Sequence, residues 1–217
     1  MSKQWAKEQV KRNELQDAVE RAAEWTAENR QTAGLIACGA LVAVLVVLGL
    51  IYSVSSRRDA AWERYGMAIA QAYAGRPEQA LEQVKSLAAD APSSPATAHA
   101  LLLAGDIQFS RAKYAEAISA FEAALSDGPR ALHPYALSNL ALTHESAKQN
   151  ERAIETARRF LDTYPDHFLA PQVHAALARS LQAAGQSEQA RAALQKIAIQ
   201  YGDSSWAAWA QSKIKGG

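Results

Sequence analysis

Five histidines are the side chains best suited to acid–base or metal chemistry in this chain: His99, His133, His144, His167 and His174. A metal site needs three or four such ligands converging at a recognised spacing. No two of these histidines stand four residues apart. His144-Glu145 beside His133 brings ligand types near one another, but they do not converge on one helix face. The carboxylates are spread along solvent faces: Glu151 and Glu155 alternate with Arg152, Arg158 and Arg159 in the manner of surface pairs on a helix. There is no glycine-rich phosphate loop, no cysteine pair and no nucleophile elbow. No constellation supplies a nucleophile or a base with an orienting partner. The expectation is a protein with no catalytic residue, no metal and no cofactor. The formal net charge of +1 leaves no basic footprint for nucleic acid. What remains is recognition of other polypeptides, and that depends on the elements that carry the recognising side chains.

Those elements repeat. Ala80, Ala117, Ala153 and Ala190 recur at steps of 37, 36 and 37 residues. Twelve residues after each stands a helix stop: Pro92, Pro129, Pro165 and Gly202. Small residues in mid-helix with stops at constant phase predict stacked helical hairpins. The stretch from Ala98 to Ala131 is the clearest. Its first helix carries Leu101, Ala104 and Gly105, and its second opens near Tyr114 and carries Ala117, Phe121, Ala124 and Leu125. Gly105 and Ala117 permit close approach of two backbones, and Phe121 fills the space beside them. Turns are expected at Ala74-Gly75-Arg76-Pro77, Gln149-Asn150 and Ala184-Gly185-Gln186. The fold class is all-α: an α-solenoid of about four hairpins over residues 61–94, 98–131, 134–167 and 171–204. Beyond it, Asp203-Ser204-Ser205 is a candidate N-cap for a last helix, 205–214. Trp206, Trp209 and Ile214 can share one side of that helix and cover the open end of the array.

A second feature precedes the repeats. Gly34 to Val54 is a run of 21 residues without a charge. At ~1.5 Å per residue it spans a hydrocarbon core of about 30 Å. The run is longer than a typical signal-peptide core and follows a polar tail, residues 1–33, so an uncleaved signal anchor is expected. Leu35-Ile36-Ala37-Cys38 mimics a lipobox, but there the apolar core precedes the cysteine and here it follows. Cys38, the single cysteine, is read as a packing or lipid-facing residue, and it allows no intramolecular disulfide. In the tail, Leu15, Ala18, Val19, Ala22 and Trp25 form a narrow apolar stripe at helical spacing, either a partner-binding helix or a solvated tail with Trp25 near the headgroups. Gly39-x-x-x-Ala43 matches a helix-contact pattern within the span, while the oligomeric state is left open.

The residues quoted for each hairpin resemble the tetratricopeptide repeat, and the resemblance covers roughly residues 61 to 204. In that family ligands contact the first helix of each hairpin. Carrying over the repeat phase, the resemblance implies a concave, peptide-binding face made of Tyr65, Ile69 and Tyr73 in the first repeat and His99, Leu102, Asp106 and Phe109 in the second. Tyr135, Ser138, Leu142 and Glu145 follow in the third, with Arg179 and Gln182 in the fourth. Aromatic and polar groups so mixed suit extended polypeptide. The alternative for Tyr65, Tyr73 and Phe109 is packing between neighbouring hairpins. Cytosolic members that grip a C-terminal carboxylate use a set of Lys and Asn. Here the matching positions hold Tyr65 with Ile69 and Leu102 with Asp106, and Asn139 alone fits.

The order of tail, anchor and repeats, carried by Ala61-Trp62 through Ala80-Leu81 and by Leu101-Leu102-Leu103-Ala104-Gly105-Asp106, resembles YfgM-type bacterial inner-membrane proteins, ancillary subunits of the SecYEG translocon. The resemblance implies a single-pass inner-membrane protein with its N-terminus cytoplasmic and its repeat domain, 57–217, in the periplasm. Its partners would be the translocon, a periplasmic chaperone or exported polypeptides. The local arginine count points the other way, with Arg57, Arg58 and Arg64 after the span against Arg21 and Arg30 before it. Two alternatives therefore stand: a structural scaffold of an envelope complex, and a receptor whose repeats face the cytoplasm.

Overall fold

The computed structural model describes Asp17 and residues 19–216, all helical or in short turns. Backbone proximity divides the chain into two units, Met1–Ser56 and Arg57–Gly217. In the first unit, residues 19–28 are helical and Val19 and Trp25 are exposed. Leu15 and Ala18, expected on the same stripe, lie outside the described residues. The long helix α1 runs Arg30–Tyr73. Its apolar run is long and apolar enough to cross a membrane, and no side chain in it is buried against protein.

The second unit begins with the last turns of α1 and continues through α2 (Pro77–Asp90), α3 (Pro95–Ser110), α4 (Tyr114–Asp127), α5 (His133–Ser146), α6 (Asn150–Thr163), α7 (Ala170–Ala183), α8 (Ser187–Gln200) and α9 (Ser205–Gly216). A short 3-10 turn, Arg130–Leu132, follows Pro129 and leads into α5. The second helices of the four hairpins open at Pro77, Tyr114, Asn150 and Ser187, steps of 37, 36 and 37 residues. That is the spacing of the four marker alanines, and each of those alanines is at most 1% exposed.

One backbone device closes every hairpin. The third residue past the end of the first helix donates its N–H six-to-one back along the chain: Arg76 to Gln71 O, Lys113 to Gln108 O, Gln149 to His144 O and Gln186 to Leu181 O, at 2.9–3.0 Å. This Schellman geometry needs a left-handed residue just before the donor. Gly75 and Gly185 take it with φ of 71° and 75°, while Ala112 and Lys148 take it with φ of 56° and 60°. A Cβ in that region costs about 1–2 kcal/mol, and glycine returns about 0.5–1 kcal/mol of that through its freer unfolded chain. Ala112→Gly and Lys148→Gly are each expected to stabilise the repeat unit by about 0.5–1 kcal/mol. A rise in the urea midpoint of the detergent-solubilised chain with an unchanged slope is the result to look for. A fall would mean that the alanine or lysine side chain makes a contact worth more than the strain.

Within each hairpin a small residue on the first helix faces a variable one on the second. Ala68, Gly105, Ala141 and Ala178 are the small members and all are buried. The matching positions on the second helices hold Val84, Phe121, Ala157 and Leu194, each in the same core cluster as, or in contact with, its small counterpart. Gly105 lies directly against the Phe121 ring, and a Cβ there would enter the ring's van der Waals surface. Where the facing residue shrinks to Ala157, Phe160 three residues on fills the volume and is fully buried. The first helices of successive hairpins approach one another more closely than the second helices do. The crowded layer is the inside of the curve, so α3, α5, α7, α9 and the end of α1 form the inner face.

Candidate functional site

The inner face is stitched together by polar bridges between successive first helices. Asn139 Nδ2 on α5 donates to Asp106 Oδ1 on α3 at 2.9 Å. Gln172 Nε2 on α7 donates to Ser138 Oγ on α5 at 3.1 Å. Arg179 on α7 grips Glu145 on α5 with both ends of its fork, Nε to Oε1 at 2.5 Å and Nη2 to Oε2 at 2.8 Å. The same guanidinium lies 5.7 Å from the centre of the Trp209 ring on α9. The partners in these bridges are 33 or 34 residues apart, not 36 or 37. Neighbouring helices cross with a stagger of about one turn, so a residue faces the one a turn earlier in the next repeat.

That stagger sorts the expected binding residues. Tyr73 is 90% exposed, and Phe109 and Tyr135 are 37% and 40% exposed. Asp106, Arg179 and Gln182 are also exposed, while Ile69, Leu142 and Glu145 are half-buried. Tyr65 and His99 come together, ring centres 5.7 Å apart, and both meet Trp62. Leu102 packs against Ala117, Ile118, Phe121 and Leu140, so much of it belongs to the core. Ser138 requires correction as a ligand contact. It is fully buried, and its hydroxyl serves Gln172 between two helices.

Two further aromatic residues join the face without having been expected from the sequence. Trp62 occupies in α1 the position of His99 in α3 and Tyr135 in α5, at steps of 37 and 36 residues, and that recurrence is the signal that could have found it. Phe168, 70% exposed, lies 4.5 Å from the His167 ring and 6.1 Å from Tyr135. It sits in an inter-repeat connection, where periodicity carries no information.

Electrostatics distinguish three residues on the first helices, Asp106, Tyr65 and His174. Asp106 keeps an exposed edge, but its carboxyl is partly enclosed by its neighbours, and that desolvation raises it from 3.8 to about 6. Tyr65 is raised as well, first by burial and then by the charges of Asp106 and Tyr73. His174 on α7 is buried beside Tyr201, with Nδ1 lacking a partner among the described residues, and burial reinforced by Lys196 lowers it from 6.5 to about 4. Asp106 and His174 act on the pH dependence of stability with opposite sign. Folded Asp106 binds its proton more tightly than the unfolded chain does, so its contribution grows as pH falls from about 6 toward 3.8. The unfolded chain protonates His174 first, so that contribution falls as pH drops from 6.5 toward 4. Asp106→Asn is therefore expected to be more stable than the parent above pH 6, with the gap closing as pH falls toward 4. Urea midpoints across that range report it, and a gap independent of pH would mean that water reaches the carboxylate freely.

Among the described residues no group of three or more His, Cys, Asp or Glu is placed to hold a metal ion. His144 is buried and its Nδ1 lies 2.8 Å from Gln149 Oε1, a contact that closes its own hairpin. The inner face thus presents exposed rings between fixed polar bridges.

The tetratricopeptide-repeat family model matches residues 65–131 and 109–168, and a second tetratricopeptide-repeat model matches residues 176–204, together more than half of the chain. No curated protein sequence matches it. Among solved structures, MamA (41-end) from Desulfovibrio magneticus RS-1 is similar with a TM-score of 0.56 at 19% identity, over 73% of this chain and 94% of that one. MamA AMB-1 gives 0.56 at 20% identity, over 68% and 75%. A Podosopora anserina protein described as a kinesin light chain with nearly identical TPR-like repeats gives 0.59 at 15% identity, over 72% and 84%. At such identities the likeness is one of fold. With the hairpin spacing, the repeated turn geometry and the matched residues all in the same phase, the chain belongs to the tetratricopeptide-repeat family, whose stacked hairpins serve as scaffolds for protein–protein interaction.

Proposed function

We propose that this protein is a membrane-anchored, non-catalytic module that holds extended polypeptide on the inner face of its repeats. The observation that carries the reading is the exposure of Tyr73, Phe109 and Tyr135 on that face. Aromatic rings bury a large area at low cost in side-chain entropy, and unpaired backbone of an extended chain finds polar partners such as Asp106 and Gln182 along the same face. The apolar run of α1, open on every side, suits hydrocarbon, and supports anchoring by one transmembrane helix. In this reading the protein is a chaperone-like accessory of protein export, of the YfgM type, set in the inner membrane with its repeats in the periplasm near the SecYEG translocon. The partners are exported chains or a periplasmic chaperone.

Tyr73→Ser with Phe109→Ser is expected to abolish photocrosslinks between the inner face and exported chains in intact cells. Unchanged crosslinking would remove the groove assignment. Topology is read separately, from a Ser93→Cys, Cys38→Ala variant, because Ser93 is an exposed turn residue outside every helix. Labelling by an impermeant maleimide once the outer membrane is opened is the expected result. Protection until the inner membrane is lysed would place the repeats with Arg57 and Arg58 in the cytoplasm and end the export reading.

A further inference from the structure

We infer that the groove walled by α7, α8 and α9 receives an acidic segment of the bound polypeptide, flanking one apolar side chain; the inference rests on the polypeptide-binding reading above. The groove measures about 810 Å³. Leu194 and Ile214 give it apolar lining, and Trp209 stands at its side. Arg179 also lines it, but its charge is already met by Glu145, so guanidinium and indole together make a fixed wall. Arg191 and Lys213 are different. Both line the groove, both are exposed, and neither forms an ion pair among the described residues. Glu188 is the one carboxylate in the lining. Two unpartnered cations beside an apolar recess select for carboxylates on either side of an apolar anchor, because the anchor expels water and the cations discriminate by sign.

The inner face at the opposite end of the repeats has the opposite character. Asp106 sits there beside Tyr65 and Tyr73, and its side-chain partner among the described residues, Asn139, is neutral. A chain lying along the repeats is therefore oriented: its acidic stretch over α7 to α9, its neutral or basic stretch over α3 and the end of α1. Opposite charge preferences at the two ends exclude the reversed direction by placing like charges together.

The test uses the full-length protein in detergent and two short fluorescein-labelled peptides of Gly and Ser. One has a central leucine flanked by glutamates, and the other has glutamines in their place. Fluorescence anisotropy is expected to show the glutamate probe binding about tenfold more tightly. Added salt narrows the gap. Arg191→Glu with Lys213→Glu, both surface changes, is expected to abolish or reverse the preference while circular dichroism stays unchanged. Equal affinity of the two probes for the parent, or a preference that survives the double reversal, overturns the assignment. Failure here is distinguishable from failure of the broader reading. Binding of the glutamine probe that is lost in Tyr73→Ser, Phe109→Ser, with no acidic preference, overturns the groove and keeps the inner face. Binding of neither probe overturns the groove as well, and the crosslinking of exported chains then decides the inner face independently.

Discussion

Gly105→Val is expected to destabilise the repeat unit by about 1–3 kcal/mol, and Phe121→Ala by about 3–5 kcal/mol. The double change should cost clearly less than the sum. The reason is a division of volume between two helices. Phe121 is 1% exposed, and its ring occupies the space that a side chain at position 105 would need. The equivalent hairpins carry Ala68 with Val84 and Ala178 with Leu194 in shared core clusters, so an added carbon on α3 is expected to be tolerated only if the ring on α4 shrinks. Truncating the ring alone leaves a cavity beside Leu102, Ile118 and Leu140, whose closure would require α3, α4 and α5 to shift together. Valine at 105 fills part of that cavity, which is why coupling between the two sites is expected to be favourable. Additive losses would show that Gly105 serves the helix backbone and not the ring.

Gly105 and Phe121 belong to a pattern that the amino-acid sequence displays openly. The step of 37, 36 and 37 residues is visible in the alanines, and it recurs in the helix starts and in the left-handed residues of the turns. Buried small residues, helix stops and the apolar run all leave marks in composition. The turn at Arg111-Ala112-Lys113 leaves none, because no glycine marks it: alanine holds the left-handed conformation there, closed by the Lys113 N–H to Gln108 O bond. The inner face is legible as a set of positions and not as a set of exposures. Ser138 and Leu102 have the right phase, yet the stagger between neighbouring helices puts the first under Gln172 and the second against Phe121. Glu145 and Arg179 are each legible as ligand contacts, whereas the folded chain pairs them with each other. Superhelical stagger is a property of the stacked array, and no single repeat encodes it.

Ala210→Glu is expected to release α9 and to unfold the last hairpin while leaving the first two folded. Ala210 is fully buried against Ala175 and Ile197, themselves fully buried, and Trp206 and Trp209 pack at the margin of that contact. The cap is seated by small residues, with Ala207 also buried and Ser204 accepting from the Ala207 N–H at 3.2 Å to start the helix. A glutamate at this point is either a buried charge without a partner, at a cost of about 3–5 kcal/mol, or a reason for α9 to leave. Departure exposes Ile197 and Ala175 to water. Because each hairpin in a stacked array draws its stability from its neighbours, the loss falls first on α7 and α8 and fades toward α2 and α3. Hydrogen exchange resolves this by position: protection should be lost across 170–216 and retained across 77–127. Loss of protection throughout would mean that the array unfolds as one block, and full retention would mean that α9 can shift without uncovering the core. The same variant separates the two ends of the inner face. With α9 gone, Trp209 and Lys213 leave the groove, so any acidic preference disappears, while Tyr73 and Phe109, several helices away, keep their exposure and their capacity to bind.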